Sequence, residues 1–173
     1  MSPPLRLDDL NTADRAAFGS AVGPLFEAAP AFLARLEASR PFPDWESLLM
    51  VARSIAHAMP EQDQIELVDA HPRLGAARGS VSALSFGEQG YDRDAGAVVR
   101  DEVAAELARL NEAYEARFGF RYCVFVAGRS REELLPGMRA ALAGDRATEL
   151  DRALDAVVDI AQARLAVLAA GAG

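Results

Sequence analysis

Proton transfer near neutral pH is the chemistry a histidine supplies most readily, and the chain has two, His57 and His71. His71 stands in "LVDAHPRLGA", directly before Pro72. The proline ring crowds the backbone that precedes it and disfavours helical geometry at residue 71. A helix running through "PEQDQIELVDA" should therefore stop here, and Gly75 permits a sharp turn or a close backbone approach just beyond. An imidazole at a helix-to-loop break can work as an acid or base on a bound molecule. It can equally close the helix by hydrogen bonding to a carbonyl. His57, in "SIAHAMP" near a helix end, reads as structural, because the helix dipole favours a cation there.

Ser85, Glu88 and Gln89 form a second polar group. Ser-x-x-Glu is the spacing of a capping box, in which each side chain satisfies the other's backbone N–H. The same helix start also presents N–H groups that can hold a substrate oxygen. Arg164 lies seven residues after Val157, nearly in line with the apolar stripe Leu150, Leu154, Val157, Ala161 and Leu168. A guanidinium on that line either carries its stem across the stripe to a neighbouring carboxylate or clamps an anion with its planar fork. Cys123, with Arg121 its one basic neighbour, reads as a small buried hydrophobe. No zinc-ligand spacing, phosphate-binding glycine loop or dinucleotide fingerprint occurs, so neither metal nor cofactor is expected.

The elements that must position these residues are helical. Phe18, Val22, Leu25 and Phe26, then Phe32, Leu33 and Leu36, recur at helical intervals, punctuated by Gly23-Pro24 and Ala29-Pro30. Asp44 can cap "DWESLLMVARSIAHAM", with Trp45, Leu48, Leu49, Ala52 and Ile55 on its apolar face and Trp45 in the core. "RGSVSALSFGEQGYDRDAG" reads as a polar loop with one helical turn at Ser85 to Gln89. A long amphipathic helix from about residue 95 to Phe118 carries Val98, Val99, Val103, Leu107, Leu110 and Tyr114. "FRYCVFVAG" has strand-like composition but no strand to pair with, so a buried extended connector is expected. "REELLPGMRAALA" and the final stretch from Asp145 complete the chain as two helices. The expectation is an all-α fold, a single-domain bundle of roughly seven to nine helices over residues 1–173.

Half the residues are hydrophobic (51%) and a quarter charged (25%), a globular composition. The net charge of −8 opposes a nucleic-acid partner, whereas a small anion would need a local positive charge. The single cysteine precludes an intrachain disulfide and fits a reducing compartment. With no signal-like run and no uncharged apolar stretch of roughly 18 residues, no membrane partner and a cytoplasmic location are expected.

Taken in order, "RPF" (Arg40 to Phe42), "AHPRLG" (Ala70 to Gly75), "SFGEQ" (Ser85 to Gln89), "LNEAYEARFGF" (Leu110 to Phe120) and "IAQARL" (Ile160 to Leu165) resemble the 2-oxo-4-hydroxy-4-carboxy-5-ureidoimidazoline (OHCU) decarboxylases of urate breakdown. The resemblance implies an all-α homodimer that forms (S)-allantoin and carbon dioxide from an anionic ureidoimidazoline without a cofactor. It implies catalytic roles for His71, Glu88 and Arg164, with His71 held by Glu88 and managing proton transfer. It further implies substrate contacts from Pro72, Ser85 and Gln89 and from the backbone of Tyr122, Cys123, Val124, Phe125 and Val126. Two stretches depart from the family's usual pattern: the bulkier "GYDRDAG" after Gln89, and Arg121, Tyr122 and Cys123 after Phe120. An enzyme of the same fold acting on a related ureido acid, or a helical domain that only binds a ureide or a partner, are the alternative readings.

Overall fold

Caps and prolines set the helix boundaries in the computed structural model, which describes residues 5–76 and 97–170. The Asp44 carboxylate accepts from the Ser47 amide at 2.7 Å and opens one helix, and Pro60 follows its end. Chain order is α1 (Leu7–Thr12), α2 (Arg15–Val22), a 3-10 turn (Gly23–Leu25), α3 (Pro30–Ala38), α4 (Trp45–Ala58), α5 (Glu61–Asp69), α6 (Ala97–Phe118), α7 (Arg131–Ala141) and α8 (Arg146–Ala170). The described residues thus hold eight α-helices and no strand, in accord with the all-α expectation. No single helix among them is long and apolar enough to cross a membrane.

The chain divides into two compact units, one of Met1–Ala70 with Leu154–Gly173 and one of His71–Ala153. In the first, α3 packs on α2, α4 and α5, and the helical stripes supply the core: Phe18, Val22, Leu25, Phe26, Phe32, Leu36, Leu48 and Ala52 are all essentially inaccessible. The "RPF" stretch fastens the N-terminal helices here. Arg40 donates to the Leu10 and Ala13 carbonyls at 3.0 and 2.6 Å, and the Asn11 amide exchanges two 2.8 Å hydrogen bonds with the backbone of Phe42. Trp45 is only half-buried, contrary to the expected core position, because it is the first residue of α4 and the buried stripe begins at Leu48. Leu33, Leu49 and Ile55 are likewise half-buried.

In the second unit α6 packs against α7. Val103, Leu107, Leu110, Tyr114 and Phe118 of α6 are buried at the predicted intervals. Gly119, with φ +80°, ends the helix in the left-handed conformation that glycine adopts without steric cost, and its amide returns to the Glu115 carbonyl at 2.9 Å. The Phe120 to Val126 stretch that follows is neither helix nor strand, and Phe120, Tyr122, Cys123 and Val126 in it are buried. Phe120 and Tyr122 both pack their rings on that of Tyr114, with centroids 5.8 and 5.1 Å away.

Candidate active site

His71 is the first residue after α5 and its one-residue Ala70 cap, so the predicted helix break falls where Pro72 requires it. Its side chain is buried, with 4% of the residue exposed. The loop beyond is gripped by one face of α6, where Leu107, Asn111 and Glu115 lie at successive i, i+4 positions. Asn111 donates from Nδ2 to the Leu74 carbonyl at 2.9 Å. Glu115 receives Nε of Arg73 at 2.7 Å and Nη2 through its second oxygen, a bidentate pair. Gly75 adopts φ +78°, and a Cβ there would meet Leu107 Cδ1 at 2.9 Å, so glycine serves both the turn and the close approach. Arg121 in turn donates to the His71 carbonyl at 3.1 Å. Two motifs read separately in the sequence, "AHPRLG" and "LNEAYEARFGF", are therefore one physical device that fixes the backbone around the imidazole. Asn111, Glu115 and Arg121 were not singled out from sequence as site-supporting residues; the i, i+4 spacing of Leu107, Asn111 and Glu115 was the available signal.

Arginine side chains donate to three carbonyls of the Tyr122 to Val126 segment. Arg152 donates to the Cys123 carbonyl at 2.8 Å, and Arg129 donates to Phe125 and Val126 at 2.7 and 2.9 Å. Arg152 also lies 4.7 Å over the Tyr122 ring and pairs with buried Glu149 at 2.8 Å, while the Tyr114 hydroxyl donates to the same Glu149 oxygen at 2.8 Å. Burial, reinforced by the Glu149 carboxylate, pushes the Tyr114 hydroxyl's pKa upward, so it stays a donor. Burial also raises that of Tyr122. Cys123 is buried, consistent with a small hydrophobe.

Arg164 belongs to the first unit and is 2% exposed on the buried stripe of α8, the position the helical period predicts. Its guanidinium donates to the Pro24 carbonyl at 2.8 Å and to Glu27 Oε1 at 2.7 Å. A neighbouring carboxylate, one of the two alternatives open from sequence, is thus present. His57 bonds to Asp155 at 3.0 Å, in keeping with a structural role. An open groove of about 690 Å³ in the first unit, lined in part by Glu46, Met50, Arg53 and His57, contains none of the predicted site residues. Ser85, Glu88 and Gln89 lie outside the described residues, as does the turn predicted for them. Among the described residues no group of three or more His, Cys, Asp or Glu side chains is arranged to hold a metal ion.

Comparison with known proteins agrees with the sequence resemblance. The family model described as OHCU decarboxylase matches residues 11–166. The 2-oxo-4-hydroxy-4-carboxy-5-ureidoimidazoline decarboxylase of Haloferax volcanii is 30% identical over 162 residues, which cover 94% of this chain and 95% of that protein. The uric acid degradation bifunctional protein PucL of Bacillus subtilis is 32% identical over 160 residues, 92% of this chain, and the match spans only 32% of that longer protein. A crystal structure of OHCU decarboxylase in the presence of (S)-allantoin shares the fold, with a TM-score of 0.68 at 22% identity over 91% of this chain and 99% of that one. With the family match running from Asn11 to Ala166, across residues of both compact units, the chain belongs to the OHCU decarboxylase family.

Proposed function

We propose that the chain decarboxylates OHCU to (S)-allantoin and carbon dioxide, with His71 as the proton-transfer group. The observation that carries this reading is the anchoring of the His71 to Gly75 loop by Asn111, Glu115 and Arg121, which holds a buried imidazole at a helix break. Rigid placement of this kind is what a stereospecific proton transfer demands. The carbon that loses carbon dioxide adjoins a ring C=N bond, which accepts the electron pair of the breaking bond. A proton then adds to one face of the ureido-bearing carbon as the hydroxyl becomes a carbonyl. The substrate supplies its own electron sink, and the protein's task is to orient it, stabilise developing charge and deliver the proton. General acid–base assistance is worth about 10²- to 10⁴-fold.

On this reading Glu88 holds His71, and Arg164, Ser85 and Gln89 bind substrate oxygens. Pro72 and the backbone of Tyr122 to Val126 line the substrate. Three carbonyls of that segment already accept from Arg152 and Arg129, which biases it toward offering N–H donors to an anion. The same reading carries one family domain over residues 1–173, a homodimer and a cytoplasmic site of action. The exposed Met50 of α4 and Val167 of α8 are apolar surface available to a second copy.

Circular dichroism of freshly generated OHCU, with wild-type protein and with His71→Asn, tests the proposal. Rapid growth of the (S)-allantoin signal with wild type alone supports it. A signal that only tracks the uncatalysed, racemic decay rejects the activity, and full activity in His71→Asn rejects the assignment of His71.

A further inference from the structure

Arg164 is the least accessible charged side chain among the described residues, and a single turn wraps its guanidinium. Nη1 donates to the Pro24 carbonyl at 2.8 Å and lies 3.5 Å from that of Leu25, while Nη2 meets Glu27 Oε1 at 2.7 Å. The turn that presents these acceptors is sterically costly. Glu27 and Ala28 are consecutive non-glycine residues in the left-handed region, with φ of 50° and 56°. Two amides, of Phe26 and Ala28, fold back on the Gly23 carbonyl at 3.1 and 2.9 Å and close it. Glycine at either position would relieve the backbone, whereas the carboxylate at position 27 meets the buried charge. Such strain persists where the surroundings over-determine it, and the guanidinium contacts and the two amides on the Gly23 carbonyl are among those surroundings.

We infer that Glu27 is a positioning residue for catalysis: it fixes the orientation of Arg164 and offsets part of its charge. The inference rests on the proposed role of Arg164 toward substrate oxygens. A buried arginine held by a carboxylate on one side is confined to one orientation, so substrate binding need not spend energy ordering it.

The test compares Glu27→Gln, Arg164→Lys and the double variant by initial rates on freshly generated OHCU, with a thermal melt of each. Glu27→Gln is expected to raise KM by about tenfold in the wild-type background and by less than about twofold in the Arg164→Lys background, since the two residues act as one unit. A lowered melting temperature with KM unchanged in Glu27→Gln overturns the inference, because that is what a purely structural turn produces. Equal KM effects in both backgrounds overturn it too, by showing that Glu27 does not act through Arg164. Unaltered kinetics in Arg164→Lys instead reject the reading of Arg164 on which the inference stands. Should Glu27→Gln not fold, Glu27→Asp keeps the charge on a side chain one methylene shorter, and the same comparison of KM between backgrounds decides.

Discussion

The Arg121 guanidinium donates to the His71 carbonyl at 3.1 Å, across 50 residues of sequence. This places one of the two departures from the usual family pattern on the backbone of the candidate base. Arg121→Ala is expected to lower kcat by about ten- to a hundredfold, the scale of a misplacement on the order of an ångström, while leaving the melting temperature nearly unchanged. Rates of (S)-allantoin formation followed by circular dichroism, beside a thermal melt, check this. An unaffected kcat would mean that Asn111 and Glu115 hold the loop unaided.

Gly75 joins a left-handed backbone to a close contact. Gly75→Ala must place a Cβ against Leu107 Cδ1 at a φ that alanine rarely adopts, and it is expected to cost about 1–3 kcal/mol in denaturant unfolding. Asn111→Ala, which leaves the Leu74 carbonyl without its donor, should cost a similar amount, about 1–3 kcal/mol. Both should lower activity by more than the loss of folded protein explains, because both loosen the segment that carries His71.

Arg152 stands between a buried carboxylate, Glu149, and the backbone of the Tyr122 to Val126 segment. Arg152→Ala leaves Glu149 with only the Tyr114 hydroxyl among its present partners and removes the donor to the Cys123 carbonyl. Breaking a buried pair costs about 3–5 kcal/mol, and the one-third exposure of the Arg152 side chain, 33%, places this loss at or below the lower end. Replacing both partners, Arg152→Leu with Glu149→Leu, should recover part of the stability without restoring activity. Chemical denaturation and the allantoin assay separate the two effects.

The Asp155 carboxylate on α8 is pulled two ways. Burial pushes its pKa up, but hydrogen bonds from His57 and Arg53 prevail and hold it below the ordinary 3.8. Arg53 also reaches Asp159 at 2.7 Å, so Arg53 and His57 of α4 and Asp155 and Asp159 of α8 form one network of four. Because the folded-state value is depressed, the stabilisation is fully present above the ordinary carboxylate range. It is lost as pH falls through the depressed value. Melting temperatures of wild type and Asp155→Asn should therefore differ at pH 6 and above, with wild type the more stable, and converge as the pH drops well below 3.8. A constant gap across that window would remove Asp155 from the acid response.

Helical period and capping chemistry made much of the fold legible. Asp44, the break before Pro72, the α6 stripe and the buried line of Arg164 all lie where local rules put them, because each depends on neighbours within a turn or two. The short helix α1 was missed, since Arg6 supplies no side-chain cap and six residues carry little periodic signal. Ser-x-x-Glu shows the limit of spacing. Ser130 and Glu133 have the pattern singled out at Ser85 and Glu88, and they form a complete capping box at the start of α7. What could not be read were partners distant in sequence. Glu27 meets Arg164 across 137 residues, and Tyr114 meets Glu149 across 35. No local periodicity encodes such pairs, although the sign of a buried charge does announce that a partner of opposite sign or a set of carbonyls must exist.

The half-buried position of Trp45 turns the chain into its own spectroscopic instrument. It is the sole tryptophan and sits on α4 in the first unit, whereas Tyr114 and Tyr122 lie in the second. Indole emission therefore reports the melting of one unit, and tyrosine near-ultraviolet bands report the other. Coincident curves would mark a single cooperative transition, and separated curves would show which unit lets go first, with no label attached.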